Sequence, residues 1–266
     1  MKKTLFAAAL ALAIAAPAQA IVVTTSTSAT ALANAIGGSG ITISNAALTN
    51  ASSTASGTFT GGAGSVGFDS GIVLTTGTTG CVAGPNNQTG CSGGGALTNL
   101  SFDFTSTTGS VFFKYVFASE EYNEYVNSAY NDSFKLLLNG INIALLPGAG
   151  GVVSINNVNC GSNSAYYKNN SSGGSTGCAN QNLDIQYDGL TTVLTAGANL
   201  LAGINHFEFV ITDIGDSILD SGVFIQAGSF SGTDPGGKVP EPGSLALMGL
   251  ALAGAAVVRR RAANKA

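Results

Sequence analysis

The sequence is short of charge. Asp, Glu, Lys and Arg make up 9% of its 266 residues, with ten bases, one histidine and no tryptophan. A nucleic-acid binder needs clustered lysines and arginines to displace the counterions condensed on phosphate, and the body of this chain has no such cluster. The single histidine, His206, sits mid-strand with no nucleophile motif beside it, which argues for a structural or surface role and against a catalytic triad. The four cysteines lack CxxC spacing, so a thiolate metal site is disfavoured. With 37 glycines, short glycine motifs arise cheaply. Gly62–Gly67 spells G-x-G-x-x-G, but a strand follows it where a dinucleotide site needs a helix. Gly90–Gly94 and Gly173–Gly177 each fit G-x-S-x-G, and neither lies on a strand-to-helix elbow.

Both ends carry targeting patterns. Lys2 and Lys3 precede an apolar run from Leu5 to Ala16, and Ala18-Gln19-Ala20 is a small-x-small cleavage site. Residues 1–20 therefore read as a secretory signal peptide, with the mature chain starting at Ile21. At the other end, Val239-Pro240-Glu241-Pro242 breaks the backbone twice, since each proline fixes φ and removes a donor. Gly243 to Val258 then carries no charge, and Arg259, Arg260 and Arg261 follow at once. These 16 residues fall slightly short of the ~20 of a comfortable membrane span, and the positive-inside rule puts the arginines on the cytoplasmic side. Residues 239–266 resemble the PEP-CTERM sorting signal of Gram-negative bacteria. The resemblance implies processing by an exosortase, an integral-membrane cysteine protease, and association with exopolysaccharide or biofilm loci. It also implies transient anchoring in the inner membrane through the C-terminal transmembrane helix. A plain C-terminal membrane anchor is the alternative.

The body, residues 21–238, holds four lysines (Lys114, Lys135, Lys168, Lys238) against 13 of the 14 acids, all but Glu241, a balance of −9. Such a surface favours cations or neutral glycans over nucleic acid. Its length suits one large all-β domain. Short apolar or alternating runs recur between Gly, Asn and Ser punctuation: "ITIS", "GIVLTTG", "LSFDFT", "SVFFKYVFA", "SFKLLLNG", "INIALL", "GVVSI", "LDIQY", "TTVLTA", "HFEFVITD" and "GVFIQAGSF". In "HFEFVITD", Phe207, Phe209 and Ile211 share one face, with His206, Glu208 and Thr212 on the other. Only "SATALANAIGG" reads as a helix, ended by Gly37 and Gly38. Some eleven strands and one short N-terminal helix predict a single β-sandwich, jelly-roll-like in arrangement. In an exported chain the cysteines are free to pair. Of the three possible connectivities we favour Cys81–Cys91 and Cys160–Cys178, because each bond would staple a Gly/Asn-rich loop.

What charge there is concentrates in two places. "YVFASEEYNEYVNSAYND", Tyr115–Asp132, holds Glu120, Glu121, Glu124 and Asp132 along with four of the seven tyrosines. "TDIGDSILDSGVF" places Asp213, Asp216 and Asp220 at the exit of a strand, beside Gly215 and Ser217. Clustered carboxylates with Gly and Ser nearby can offer several oxygens to a hard cation, and Ca²⁺ takes 6–8 of them. The candidate metal set is Glu120, Glu121, Asp132, Asp213, Asp216 and Asp220. Three readings stay open. The acids converge on one Ca²⁺; or two face each other across a groove as a glycosidase pair, ~5–9.5 Å apart; or each caps its own turn.

The segment from Leu32 to Phe230 resembles the choice-of-anchor L domain of exported bacterial proteins. The matching words, in order, are "GITISNA" (Gly40–Ala46), "SGIVLTTG" (Ser70–Gly77), "GPN" (Gly84–Asn86), "YVFASEEY" (Tyr115–Tyr122), "ND" (Asn131–Asp132), "SINNVN" (Ser154–Asn159), "YDGLTTVLTA" (Tyr187–Ala196) and "DIGDSILDSGVFI" (Asp213–Ile225). The resemblance implies an extracellular β-sandwich of a surface or adhesin-like protein, with no assigned reaction. We therefore expect a non-enzymatic protein of the cell surface or exopolysaccharide matrix. A secreted polysaccharide-active enzyme and a purely structural matrix protein are the alternatives. Tyr115–Phe117 should finish a buried strand, and Tyr122–Tyr130 should cover the acidic site, its rings either packed beneath the loop or stacked on sugars.

Overall fold

Two antiparallel sheets form the body. A computed structural model describes residues 20–87, 95, 97–171, 177–216 and 218–234. The expected signal peptide, but for Ala20, and the PEP-CTERM-like tail lie outside the described residues, as do Cys91 and Ser217. No helix among the described residues is long and apolar enough to cross a membrane.

The first sheet comprises β1 (Val22–Thr25), β3 (Ser56–Thr60), β4 (Gly71–Thr75), β6 (Ser110–Ser119), β11 (Tyr167–Asn169), β12 (Gly189–Thr191), β13 (Leu194–Asn199) and β15 (Ser221–Gln226). Its order is β1-β3-β4-β15-β6-β12-β11, with β13 also paired to β6. The second comprises β2 (Ile41–Thr49), β5 (Leu97–Ser106), β7 (Ser133–Leu138), β8 (Ile141–Asn142), β9 (Leu145–Leu146), β10 (Gly151–Ser154) and β14 (Asn205–Thr212). Its order is β2-β5-β14-β7-β10-β9, with β8 paired to β7. The all-β sandwich expected from the sequence is thus observed.

The one helix, α1 (Ala29–Ile36), begins where expected. The Ser28 side chain accepts from the Ala31 N–H, satisfying one of the donors a helix start leaves open, and Gly37 closes the other end. Leu32, Ala33 and Ile36 form its buried face.

Burial follows the pleat. On β14, Phe207, Phe209 and Ile211 point between the sheets while His206 is exposed. They join Phe102, Phe104, Phe113 and Phe230 in a core of edge-to-face rings, among them Phe104–Phe230 at 4.9 Å. The first sheet is buried on its other face too. There Val116 and Ala118 of β6 meet Phe59, Val73, Tyr187, Leu190 and Phe224. Strands covered on both faces read as continuous apolar runs, as β4 and β15 do.

One expected strand is absent. "LDIQY" is irregular, with Ile185 making only an isolated bridge to Ala83. Its job is to cover the outer face of the first sheet: Ile185 and Tyr187 pack into that cluster, and Tyr187 meets Phe224 edge-on at 6.1 Å. Four strands carried no legible signal, namely β1, β3, β11 and β12. Cys160 and Cys178 are bonded as expected, with Cα atoms 5.6 Å apart. Cys81 is also in a disulfide.

Tyr187 fits only because Gly222 lies beneath it. A Cβ there would stand 2.5 Å from the Tyr187 hydroxyl and 3.0 Å from its ring. Gly222→Ala should therefore lower stability by about 1–3 kcal/mol, the usual cost of overpacking. Chemical denaturation measures it, and an unchanged midpoint would show that the Tyr187 ring can move aside freely.

Candidate functional site

All the predicted acids sit at one end of the sandwich, where β6, β14 and β15 meet β7. The end of β6 is paired with the start of β15, Ser119 opposite Ser221. In the second sheet Ser133, which opens β7, lies opposite Thr212, which closes β14. Asp132 and Asp213 flank that pair and so emerge side by side. The Glu120 N–H bonds to the Asp220 carbonyl at 3.0 Å, carrying the ladder one residue past β6.

The pleat then divides the acids. Phe113, Tyr115 and Phe117 of β6 face the space between the sheets, and Val116 and Ala118 face outward. Continuing the alternation, Glu121 belongs to the inner side and Glu120 to the outer. The same rule sends Ser221 inward and Asp220 outward on β15. The six predicted residues therefore do not converge on one point. Among the described residues no three His, Cys, Asp or Glu side chains stand close enough together to hold a metal ion as they lie.

The inner set is Glu121, Asp132, Asp213 and Asp216. Asp132, fully buried, accepts from the Ile214 N–H at 2.8 Å and from the Ser221 hydroxyl at 2.6 Å. Ser221 Oγ also lies 2.7 Å from Ser119 Oγ, which accepts the Glu121 N–H at 3.0 Å. Asp213 is 5% exposed, and neither of its carboxylate oxygens has a partner. Glu121 is 2% exposed, and its Oε2 has none. Asp216 accepts from the Ile218 N–H at 3.1 Å.

The outer set is Glu120, Asp220 and a residue that sequence reasoning missed, Asp188. Asp220 is fully enclosed and fully bonded. Its Oδ1 accepts from the Gly77 N–H at 2.7 Å and the Thr76 hydroxyl at 3.0 Å, and its Oδ2 from the Tyr187 hydroxyl at 3.2 Å. Such a carboxylate ties three segments together. Glu120 is 4% exposed; Gln186 hydrogen-bonds its carboxyl, while its Oε1 has no partner. Asp188 accepts from the Asn86 side-chain amide at 2.6 Å, and that amide also donates to the Asn170 carbonyl at 3.0 Å.

Of Tyr122–Tyr130, the segment expected to cover the acids, Tyr130 lies against Gly215 of the second acidic word. Tyr115 and Tyr122 are buried, Tyr122 against Tyr167 at 4.8 Å. Tyr125 and Tyr130 meet edge-to-face at 5.2 Å. Tyr130 rests on Gly215, whose φ of +112° admits little but glycine; a Cβ there would lie 2.7 Å from the ring. Asn131 and Asn156 brace the loop from below, Asn131 accepting the Asn156 N–H at 2.9 Å and Asn156 accepting the Asn127 N–H at 2.6 Å. His206 is remote from this end, on the open face of the second sheet, paired with Asp103 at 2.8 Å.

No lysine among the described residues forms an ion pair with any acid of either set. Burial, reinforced by the neighbouring acids, therefore pushes their pKa values up. Glu121 rises to about 8 through burial and then Asp132, Asp216 and Asp213. Asp213 rises to about 7 and Asp132 to about 6, both mainly by burial. On the outer side Glu120 rises to about 9 through burial and then Asp188 and Asp220, and Asp188 to about 6 through burial.

The model of the choice-of-anchor L domain matches residues 21–231, and that of the PEP-CTERM protein-sorting motif matches residues 238–261. No curated protein and no solved structure matches the chain.

The raised pKa values fix a pH dependence. These carboxyls hold protons in the fold that they release on unfolding, so the folded state binds more protons between the ordinary carboxylate range and about pH 9. Stability then falls as pH rises through that window. In a chelator-containing buffer the melting temperature should drop steadily from pH 5 to pH 8.5. A flat or rising profile would mean that the acids are ionised and compensated.

Proposed function

Because the chain belongs to the choice-of-anchor L domain family and ends in a PEP-CTERM protein-sorting motif, we propose that it is a non-catalytic, Ca²⁺-binding protein of the bacterial exopolysaccharide matrix. The coarse part is direct: the sorting motif marks an exported surface or extracellular protein processed by an exosortase. The matrix and the cation are the finer reading. Export would place the body outside the inner membrane, with the apolar tail of residues 243–258 as its passing anchor.

The observation that carries the cation is the pair Glu121 and Asp213. Three of their oxygens are buried without a hydrogen-bond donor, in a sheet end free of ion-paired lysine among the described residues. Buried carboxylate oxygens are normally bonded, and an uncompensated buried charge is costly. A hard divalent ion supplies the compensation. Ca²⁺ suits the place better than Mg²⁺, since it tolerates irregular shells of carboxylate, carbonyl and water oxygens. No three acids lie within reach of one point, so the ion would draw Glu121 and Asp213 together, with water and loop carbonyls completing its shell. Enclosure argues for binding over catalysis, since an acid–base pair has to touch its substrate and Glu120, Glu121 and Asp213 are each at most 5% exposed.

Two experiments test the reading. Extracellular modules bind Ca²⁺ with Kd near ~10⁻⁴–10⁻³ M, so 10 mM Ca²⁺ should raise the melting temperature of the exported protein by about 3–10 °C. Asp213→Asn should abolish that rise, and a melting temperature indifferent to Ca²⁺ would refute the cation. For the matrix, the full chain carrying an internal epitope is followed in a Gram-negative host that makes exopolysaccharide. It should appear outside the cell and sediment with the polysaccharide. Deleting the exosortase should leave a heavier, membrane-bound form. Recovery in the same fraction and at the same mass in both strains would overturn the sorting route.

A further inference from the structure

The outer acids have the same unexplained feature as the inner ones. Glu120 is 4% exposed, and its Oε1 has no hydrogen-bond partner. It points away from Glu121, to the opposite face of the first sheet, and its acidic neighbours there are Asp188 and Asp220. Asp220 is not free to take a ligand, because backbone and hydroxyl donors occupy both of its oxygens. Asp188 is different. It is half-buried, and the one donor found on it is a side-chain amide, that of Asn86.

The surroundings are built from oxygen and amide groups drawn from three segments. Gln186 and Asp188 come from the irregular stretch before β12, Asn86 from the loop after β4, and Glu120 from the exit of β6. Gln186 Nε2 donates to Asn86 Oδ1 at 3.3 Å, and Asn86 Nδ2 donates to both Asp188 and the Asn170 carbonyl. The amides thus hold Asp188 in place beside Glu120. No ion-paired lysine stands here either, among the described residues.

We propose that Glu120 and Glu121 serve two separate Ca²⁺ positions on opposite faces of the first sheet, the second formed by Glu120 and Asp188. Amide and backbone carbonyl oxygens of the Asn86–Gln186 frame and water complete the second shell, in keeping with the mixed ligands Ca²⁺ accepts. Adjacent residues at a strand exit cannot share one ion because the pleat turns them apart. They can, however, hold two ions about one backbone segment. Glu124, exposed in the covering loop, acts on the charge of both Glu120 and Glu121 and on Asp188.

This inference rests on the Ca²⁺ reading of the inner set, and the test separates the two. Native mass spectrometry of the exported protein in dilute Ca²⁺ should count two ions per chain. Glu120→Gln and Asp188→Asn should each leave one ion, Glu121→Gln should leave one, and Glu120→Gln with Glu121→Gln should leave none. One ion in the parent protein, lost with Glu121→Gln and untouched by Glu120→Gln, overturns the second position and leaves the first standing. One ion lost in either single variant overturns the two-position arrangement in favour of a shared site. No ion in the parent overturns both readings. Folding is checked independently: in chelator at pH 8, Glu120→Gln removes a carboxyl that has to take up a proton on folding and should melt above the parent. A lower melting temperature would show that Glu120 is a structural carboxylate and overturn its role as a ligand.

Discussion

The pleat of β6 is the constraint on which the rest depends. This strand lies in the middle of the first sheet, and over Tyr115–Ser119 it is buried on both faces. Its odd residues Phe113, Tyr115 and Phe117 fill the space between the sheets, and its even residues Val116 and Ala118 fill the cluster behind the first sheet. Everything beyond Ser119 inherits that alternation. Two adjacent glutamates, chemically identical, end up in different surroundings separated by the thickness of a sheet. Neighbouring elements then complete each surrounding: the ends of β7 and β14 on the inner side, the irregular stretch 183–188 on the outer.

The chain segments that look most distinctive in the sequence turn out to serve these two places. "SGIVLTTG" ends in Thr76 and Gly77, which hold Asp220. "GPN" supplies Asn86, which holds Asp188. "SINNVN" supplies Asn156, which braces the loop over the inner acids, and Ile155, whose N–H bonds the Asp132 carbonyl at 3.2 Å. A single end of the sandwich thus gathers all the buried carboxylates among the described residues. Because the chain has so few bases, none of these carboxylates finds a cationic side chain among the described residues, and their charge is left for protons or an ion to settle.

Much of this was legible beforehand. The alternation of "HFEFVITD" announced which face of β14 is core, and "SATALANAIGG" announced α1 and its end at Gly37. The carboxylate clusters were visible as departures from an almost uncharged background, and they do gather at one end. Asp188 was not legible as a site residue, because a lone acid between Tyr187 and Gly189 looks like any turn residue. The division between Glu120 and Glu121 was legible in principle, since a period of two separates neighbours on any strand. It was masked because a list of acids carries no direction.

The sequence by itself determined the destination and the class of fold: two targeting patterns at the ends, and between them alternating apolar runs that can satisfy their backbone only as sheets. It also determined that acids would outnumber bases wherever they met. Tertiary structure alone decided which acids meet. Pairing Ser119 with Ser221 and Ser133 with Thr212 is a long-range choice of register, and register sets the face on which each carboxylate lies. Glu120 faces Asp188 and Glu121 faces Asp213 because of partners some 70 and 90 residues away along the chain, a relation that no local pattern encodes.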